Sequence, residues 1–133
     1  MNTEEAKSKT LTVFIYGTLK NGETFHHHLN EKHSDVKFLG TATLKGHRLY
    51  QSGIGDFPFI SKGDGLVHGE LYEISTLRGQ LLDYVENYPI LYDKKTVEVE
   101  RNGEKVSALV YYVGDKQLPH HIVTPTPIRS GRW

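Results

Sequence analysis

The stretch YGTLKNG, residues 16–22, sets two glycines in a short polar loop at the end of an apolar run. Backbone N–H groups at such a turn can converge on a carboxylate or phosphate, and glycine lets a ligand approach with no Cβ in the way. The spacing is not the G-x-x-x-x-G-K-[ST] of a phosphate-binding P-loop, so a plain glycine turn after a core strand competes with an anion cradle. Glu86 is the second candidate. It falls where a helix is expected to end, against the negative pole of the dipole, and Asp83 sits three residues earlier on nearly the same face. Both effects, together with any burial, would raise the carboxyl pKa toward the range useful for proton transfer. The competing reading is a solvated surface glutamate.

Eight histidines, with His26, His27 and His28 in a row, pose the question of a metal site. No pair has the i, i+4 spacing of H-E-x-x-H, and adjacent helical residues point about 100° apart, so the histidines read as ordinary polar positions and no metal is expected. The chain has no cysteine to serve as thiolate ligand, disulfide or nucleophile. Ser52 and Ser130 lie near glycines without the G-x-S-x-G elbow. The tyrosines, with no basic patch beside them, read as core or cavity lining and not as a base-stacking platform.

These groups must be positioned by a modest number of elements. Residues 1–10 read as a disordered lead-in and 11–133 as one domain. LTVFIY, 11–16, is an apolar run suited to a strand covered on both faces. A short helix is expected over 24–32. VKFLGTATLKGHRLYQ, 36–51, alternates like a half-exposed strand, with Gly40 and Gly46 marking bulges or bends. GLVHGELYEI, 65–74, is another strand. STLRGQLLDYVENYP, 75–89, reads as a helix capped by Ser75 or Thr76, with Leu77, Leu81 and Val85 on one apolar stripe and Asn87 near its end. Asn102–Gly103 between two strand-like runs signals a β-hairpin. The segment 51–65 reads as a loop, and the tail TPTPIRSGRW as irregular. The sum is an α+β domain of mostly antiparallel strands with two helices.

A formal net charge of zero gives no basic excess for a nucleic-acid backbone. No apolar run approaches the ~20 residues that span a bilayer, and the polar N-terminus is unlike a signal peptide, so a soluble, cytoplasmic protein without membrane contact is expected.

VFIYGTLKNG, GLVHGELYEI and LLDYVENYPILYDKKTVEV, in this order over about residues 11–113, closely resemble the γ-glutamyl cyclotransferase-like family. YGTLKNGETFHHHL is most similar to its γ-glutamylamine cyclotransferase branch. The resemblance implies a small, mostly antiparallel β-barrel with short flanking helices. It assigns glutamyl binding to Tyr16, Gly17, Thr18 and Leu19, with a histidine at His26, and the catalytic carboxylate to Glu86. The family's Y-x-R pattern falls on Tyr92 and Lys94, with lysine in place of arginine, and Asn87 stands where glycine is frequent.

The implied reaction suits a chain with few parts. The α-amine of a γ-glutamyl compound attacks its own γ-carbonyl, closing 5-oxoproline and expelling an amine or amino acid. Intramolecular attack reaches effective molarities on the order of 10⁵ M or more, and an α-amine with a pKa near ~8 needs a base. Glu86 would take that proton and return it to the leaving group, with backbone amides steadying the carboxylate or oxyanion. The implied partner is a small γ-glutamyl substrate, and no cofactor is called for. The alternative is a diverged small-molecule-binding member without this turnover. Phe57 and Pro58 are either walls of a pocket rim or part of a plain connection. The chain suits a monomer or a homodimer.

Overall fold

A computed structural model of the chain describes residues 9–17, 20, 23, 26–30, 32–53, 57–121 and 126–133. Of the expected lead-in over 1–10, residues 1–8 lie outside the described residues, and Thr10 already opens β1, Thr10–Ile15. Val13, Phe14, Ile15 and the following Tyr16 are all buried, as a continuous apolar run requires. Successive side chains point to opposite faces. Val13 and Ile15 therefore enter one core, and Phe14 and Tyr16 the other.

β2, Val36–Gln51, and β3, Pro58–Ser75, form one long antiparallel hairpin, from Val36 opposite Ile74 to Gln51 opposite Pro58. Register shifts fall between Phe38 and Gly40 and between Lys45 and His47. Gly40 and Gly46 have φ of 120° and 75° there, so both glycines mark the bulges their sequence positions suggested. The segment 51–65, expected as a loop, is mostly strand. Its apolar residues Phe59 and Ile60 are buried, and only residues 52–57 connect the two strands.

β4, Asp93–Arg101, and β5, Glu104–Tyr112, are joined at Asn102 and Gly103, both at positive φ as a tight hairpin turn demands. β1 lies antiparallel to β3 and parallel to β5, and β4 touches β2 at Thr43 opposite Glu100. The pairings β3–β1–β5–β4–β2–β3 thus close into a barrel-like ring, and the fold is α+β and mostly antiparallel as expected. Phe14, Leu44, Ile60, Leu71, Val99 and Val110, from all five strands, make up the core inside the ring.

The tail is more ordered than its prolines suggested. β6, Thr126–Pro127, pairs with Tyr50 and Gln51, Ile128 N–H donates to the Leu49 carbonyl at 2.8 Å, and Ile128 and Trp133 pack on the ring's core. The helix expected over 24–32 is a single 3₁₀ turn, His26–His28, among the described residues of that segment.

α1, Thr76–Val85, is capped by Ser75, whose hydroxyl accepts from Arg78 N–H at 3.0 Å. Arg78 also donates to Asp35 at 3.0 Å, fixing the start of α1 beside β2. The expected stripe is corrected in part: Val85 packs against the core, but Leu77 is 74% exposed and Leu81 38%, while Gly79 and Leu82 are buried. A Cβ on Gly79 would come within 2.7 Å of Leu11 Cδ1. The helix thus sets its glycine against β1, which rotates Leu82 inward and Leu77 out. Leu82 joins Val13, Ile15 and Tyr111 in the layer between sheet and helix. Among the described residues, no helix is long and apolar enough to cross a membrane.

Candidate active site

The chain leaves β1 through Tyr16 and Gly17. A Cβ on Gly17 would lie 2.5 Å from Pro58 Cγ, part of a rigid ring. Glycine is needed here for close approach rather than for an unusual φ. Phe14, Ile15, Tyr16, Gly17, Pro58, Glu86, Tyr92 and Tyr111 enclose a cavity of about 20 Å³ at this point. That is room for one water-sized group, the size of an ammonium.

Glu86 reaches this cavity because of how α1 ends. It is the C-cap residue, with its N–H donating to the Leu82 carbonyl at 2.9 Å, and Asn87 follows at φ 52°, a left-handed conformation that asparagine tolerates. Burial raises the Glu86 carboxyl from 4.5 to about 7. The sequence suggested Asp83 as a like-charge contributor. Instead Asp83 accepts from Lys94 Nζ at 2.7 Å and from the Tyr111 hydroxyl at 2.6 Å. A carboxylate balanced by an ammonium exerts little net field on its neighbour, and burial is the cause that stands.

Three phenols surround the carboxyl, and each has its single proton committed elsewhere. Tyr16 donates to the Tyr111 carbonyl at 2.7 Å, Tyr92 to the Pro58 carbonyl at 2.6 Å, and Tyr111 to Asp83 at 2.6 Å. Their oxygens keep acceptor capacity only. Burial first, and then neighbouring charge including that of Glu86, raises all three phenols, so they stay protonated near neutral pH. A carboxylate ringed by acceptor oxygens suits a group with several N–H donors.

Tyr92 is braced from behind. His121, fully buried, donates from Nε2 to the Leu91 carbonyl at 2.7 Å and accepts the Ser52 hydroxyl at Nδ1, 2.9 Å away. This network assigns a neutral imidazole, and burial lowers its pKa. Its ring lies 5.4 Å from that of Tyr92. Neither Ser52 nor His121 lines the cavity, so His121 serves as a brace behind Tyr92.

The structure brings Tyr16, Gly17 and Glu86 together at one cavity. Thr18 and Leu19 lie outside the described residues. His26 stands on the 3₁₀ turn with its ring 6.2 Å from that of Tyr72, and it does not line the cavity. Among the described residues, no three histidine or acidic side chains gather as ligands for one ion. Pro58 emerges as a cavity wall, the role weighed for it, while Phe57 does not line the cavity. The sequence reading did not single out Tyr111 as a site residue, nor the pairing of Lys94 with Asp83. The alternation of β5 was the available signal, since it puts Tyr111 on the face of Leu109, toward α1.

Comparison with known proteins agrees with this architecture. Residues 13–133 match the family described as gamma-glutamyl cyclotransferase, AIG2-like. A putative gamma-glutamylcyclotransferase of Vibrio cholerae is 37% identical over 91% of this chain and 93% of its own. Gamma-glutamylaminecyclotransferase A of Danio rerio is 31% identical over 76% of this chain and 68% of its own. The crystal structure of an AIG2-like protein from Mus musculus superposes with a TM-score of 0.74 at 28% identity, covering 88% of this chain and 85% of that one.

Proposed function

The chain belongs to the gamma-glutamyl cyclotransferase, AIG2-like family, and on that premise we propose that it cyclises the glutamyl moiety of a γ-glutamylamine to 5-oxoproline. The observation that carries this reading is a carboxyl raised to about 7 in a cavity sized for one ammonium. The substrate's α-amine sits there, against Glu86 and the acceptor oxygens of Tyr16, Tyr92 and Tyr111. Glu86 removes a proton from the amine as its nitrogen attacks the γ-carbonyl. The lactam C–N bond forms, the bond to the leaving nitrogen breaks, and the two protons lost by the α-ammonium, one shed before attack and one during it, pass in turn through Glu86 to the departing amine, which leaves as an ammonium. A base with a pKa near 7 is matched to both transfers at neutral pH. The γ-glutamylamine class is supported by the name of the Danio rerio relative.

The test is to incubate the protein with γ-glutamyl-ε-lysine, γ-glutamyl amino acids and glutathione and to quantify 5-oxoproline across pH. Release from γ-glutamyl-ε-lysine is expected, with kcat/KM rising with pH through a midpoint of about 7. Glu86→Gln should lose on the order of 10²- to 10⁴-fold. Activity that survives in Glu86→Gln removes Glu86 as the base. No release from any member of the panel by folded protein overturns the reading.

A further inference from the structure

We propose that Asp83, paired with Lys94, is a positioning residue that aims the Tyr111 hydroxyl proton away from Glu86, so that the Tyr111 oxygen meets the reacting amine as an acceptor. This rests on the reading of Glu86 as the proton-transfer group.

The geometry is specific. Tyr111 Oη lies 2.6 Å from Asp83 Oδ1, and Lys94 Nζ lies 2.7 Å from Asp83 Oδ2, so the two carboxylate oxygens serve two different partners. The phenol–carboxylate bond is short and charge-assisted, the stronger kind of hydrogen bond. Asp83 and Lys94 are 24% and 29% exposed, which leaves the pair partly shielded from water. Lys94 is further held over the Tyr88 ring, with Nζ 4.5 Å from its centroid.

Around Glu86 stand Tyr16 from the end of β1, Tyr92 from just before β4 and Tyr111 on β5, with Asp83 on α1, Lys94 on β4 and Tyr88 after α1 behind them. Tyr16 and Tyr92 donate to backbone carbonyls, which fold geometry fixes. Tyr111 alone of the three gives its proton to an ionisable side chain. Glu86 shares the cavity with Tyr111 and its charge acts on that phenol, so on this proposal the Tyr111 proton turns, in the absence of Asp83, to the Glu86 carboxylate. A bond donated to the charged form favours it, so Glu86 would become a weaker base and the amine would lose one acceptor.

The experiment titrates the Glu86 carboxyl by NMR in protein carrying ¹³C-labelled glutamate, with Glu86→Gln identifying the resonance. Asp83→Ala/Lys94→Met removes both charges together and leaves the net charge unchanged. It is expected to lower the Glu86 midpoint by about one pH unit, and to move the acid limb of kcat/KM by the same amount. Adding Tyr111→Phe should restore the midpoint, which loss of structure alone would not do. Tyr111→Phe by itself should leave the midpoint where it is in the unmodified protein. An unchanged midpoint in the double variant overturns the proposal, as does an equal shift with and without Tyr111. If the double variant does not fold, Tyr111→Phe decides. A clear rise of the midpoint would mean that Tyr111 donates to Glu86, which is fatal to the idea, and an unmoved midpoint supports it. The titration needs no substrate. Absence of 5-oxoproline therefore sinks the functional reading alone, while a failed titration in an active enzyme sinks only the role of Asp83.

Discussion

Replacing Glu86 by glutamine should make the protein more stable at alkaline pH while slowing the proposed reaction on the order of 10²- to 10⁴-fold. The carboxyl is raised from 4.5 to about 7 by burial, so the folded state holds its proton over a range in which the unfolded chain has released it. The stability this contributes is fully present below about pH 4.5 and is lost as pH rises through about 7. A difference of about 2.5 pH units, at about 1.4 kcal/mol each, sets a ceiling of ~3.5 kcal/mol. Glu86 keeps part of its surface toward solvent, and screening leaves roughly half of that or less, ~1–2 kcal/mol. Glutamine keeps the shape and never ionises. Urea denaturation of both proteins at about pH 4 should give nearly equal midpoints, and at about pH 8.5 the variant should lead by that ~1–2 kcal/mol, or about 3–8 °C in Tm. A variant equally stable or less stable at the higher pH would refute the claim that Glu86 is held in a poorly solvated cavity. The measurement does not depend on which substrate the protein takes.

Other perturbations probe the scaffold. Gly17→Ala puts a methyl 2.5 Å from Pro58 Cγ, and the backbone shift this forces should cost about 1–3 kcal/mol in thermal unfolding and suppress 5-oxoproline release. Leu82→Ala should cost about 2–5 kcal/mol by chemical denaturation, because Leu82 is fully buried under α1. Leu77→Ala, on the exposed side of the same helix, should stay within about 0.5 kcal/mol; a loss as large as that of Leu82 would mean that α1 is rotated from the orientation described.

Much of the scaffold was legible because it is specified locally. The run in β1, the Asn102–Gly103 turn, the Ser75 cap and the bulge glycines Gly40 and Gly46 each declare themselves within a few residues. What misled was context. Leu77, Leu81 and Val85 share a stripe on any helical wheel and Val85 does reach the core, but the close approach of Gly79 to Leu11 turns Leu77 and Leu81 outward and Leu82 inward. That contact joins residues 68 positions apart and leaves no periodic trace. The tail failed for the same reason. Two prolines argue against a strand, yet one pairing at Tyr50 and Gln51 and the burial of Ile128 against the ring suffice to order it.

The site shows the same division in its electrostatics. The sequence places Glu86 at a helix end near Asp83, and from that alone the raised carboxyl has two candidate causes beyond burial. The partners that neutralise Asp83 come from elsewhere, Lys94 on β4 and Tyr111 on β5. Once Asp83 is paired, what distinguishes Glu86 from an ordinary surface glutamate is solvation. Its cavity walls are three phenols whose protons point to other acceptors and a glycine–proline contact that leaves about 20 Å³. A carboxylate there lacks the hydrogen bonds water would give it, and its proton affinity rises accordingly. The substrate ammonium of the proposed reaction would supply those missing donors and the compensating charge at once. On the proposed reading, the burial that makes Glu86 costly to ionise in the empty site is what would make it select an amine it can deprotonate.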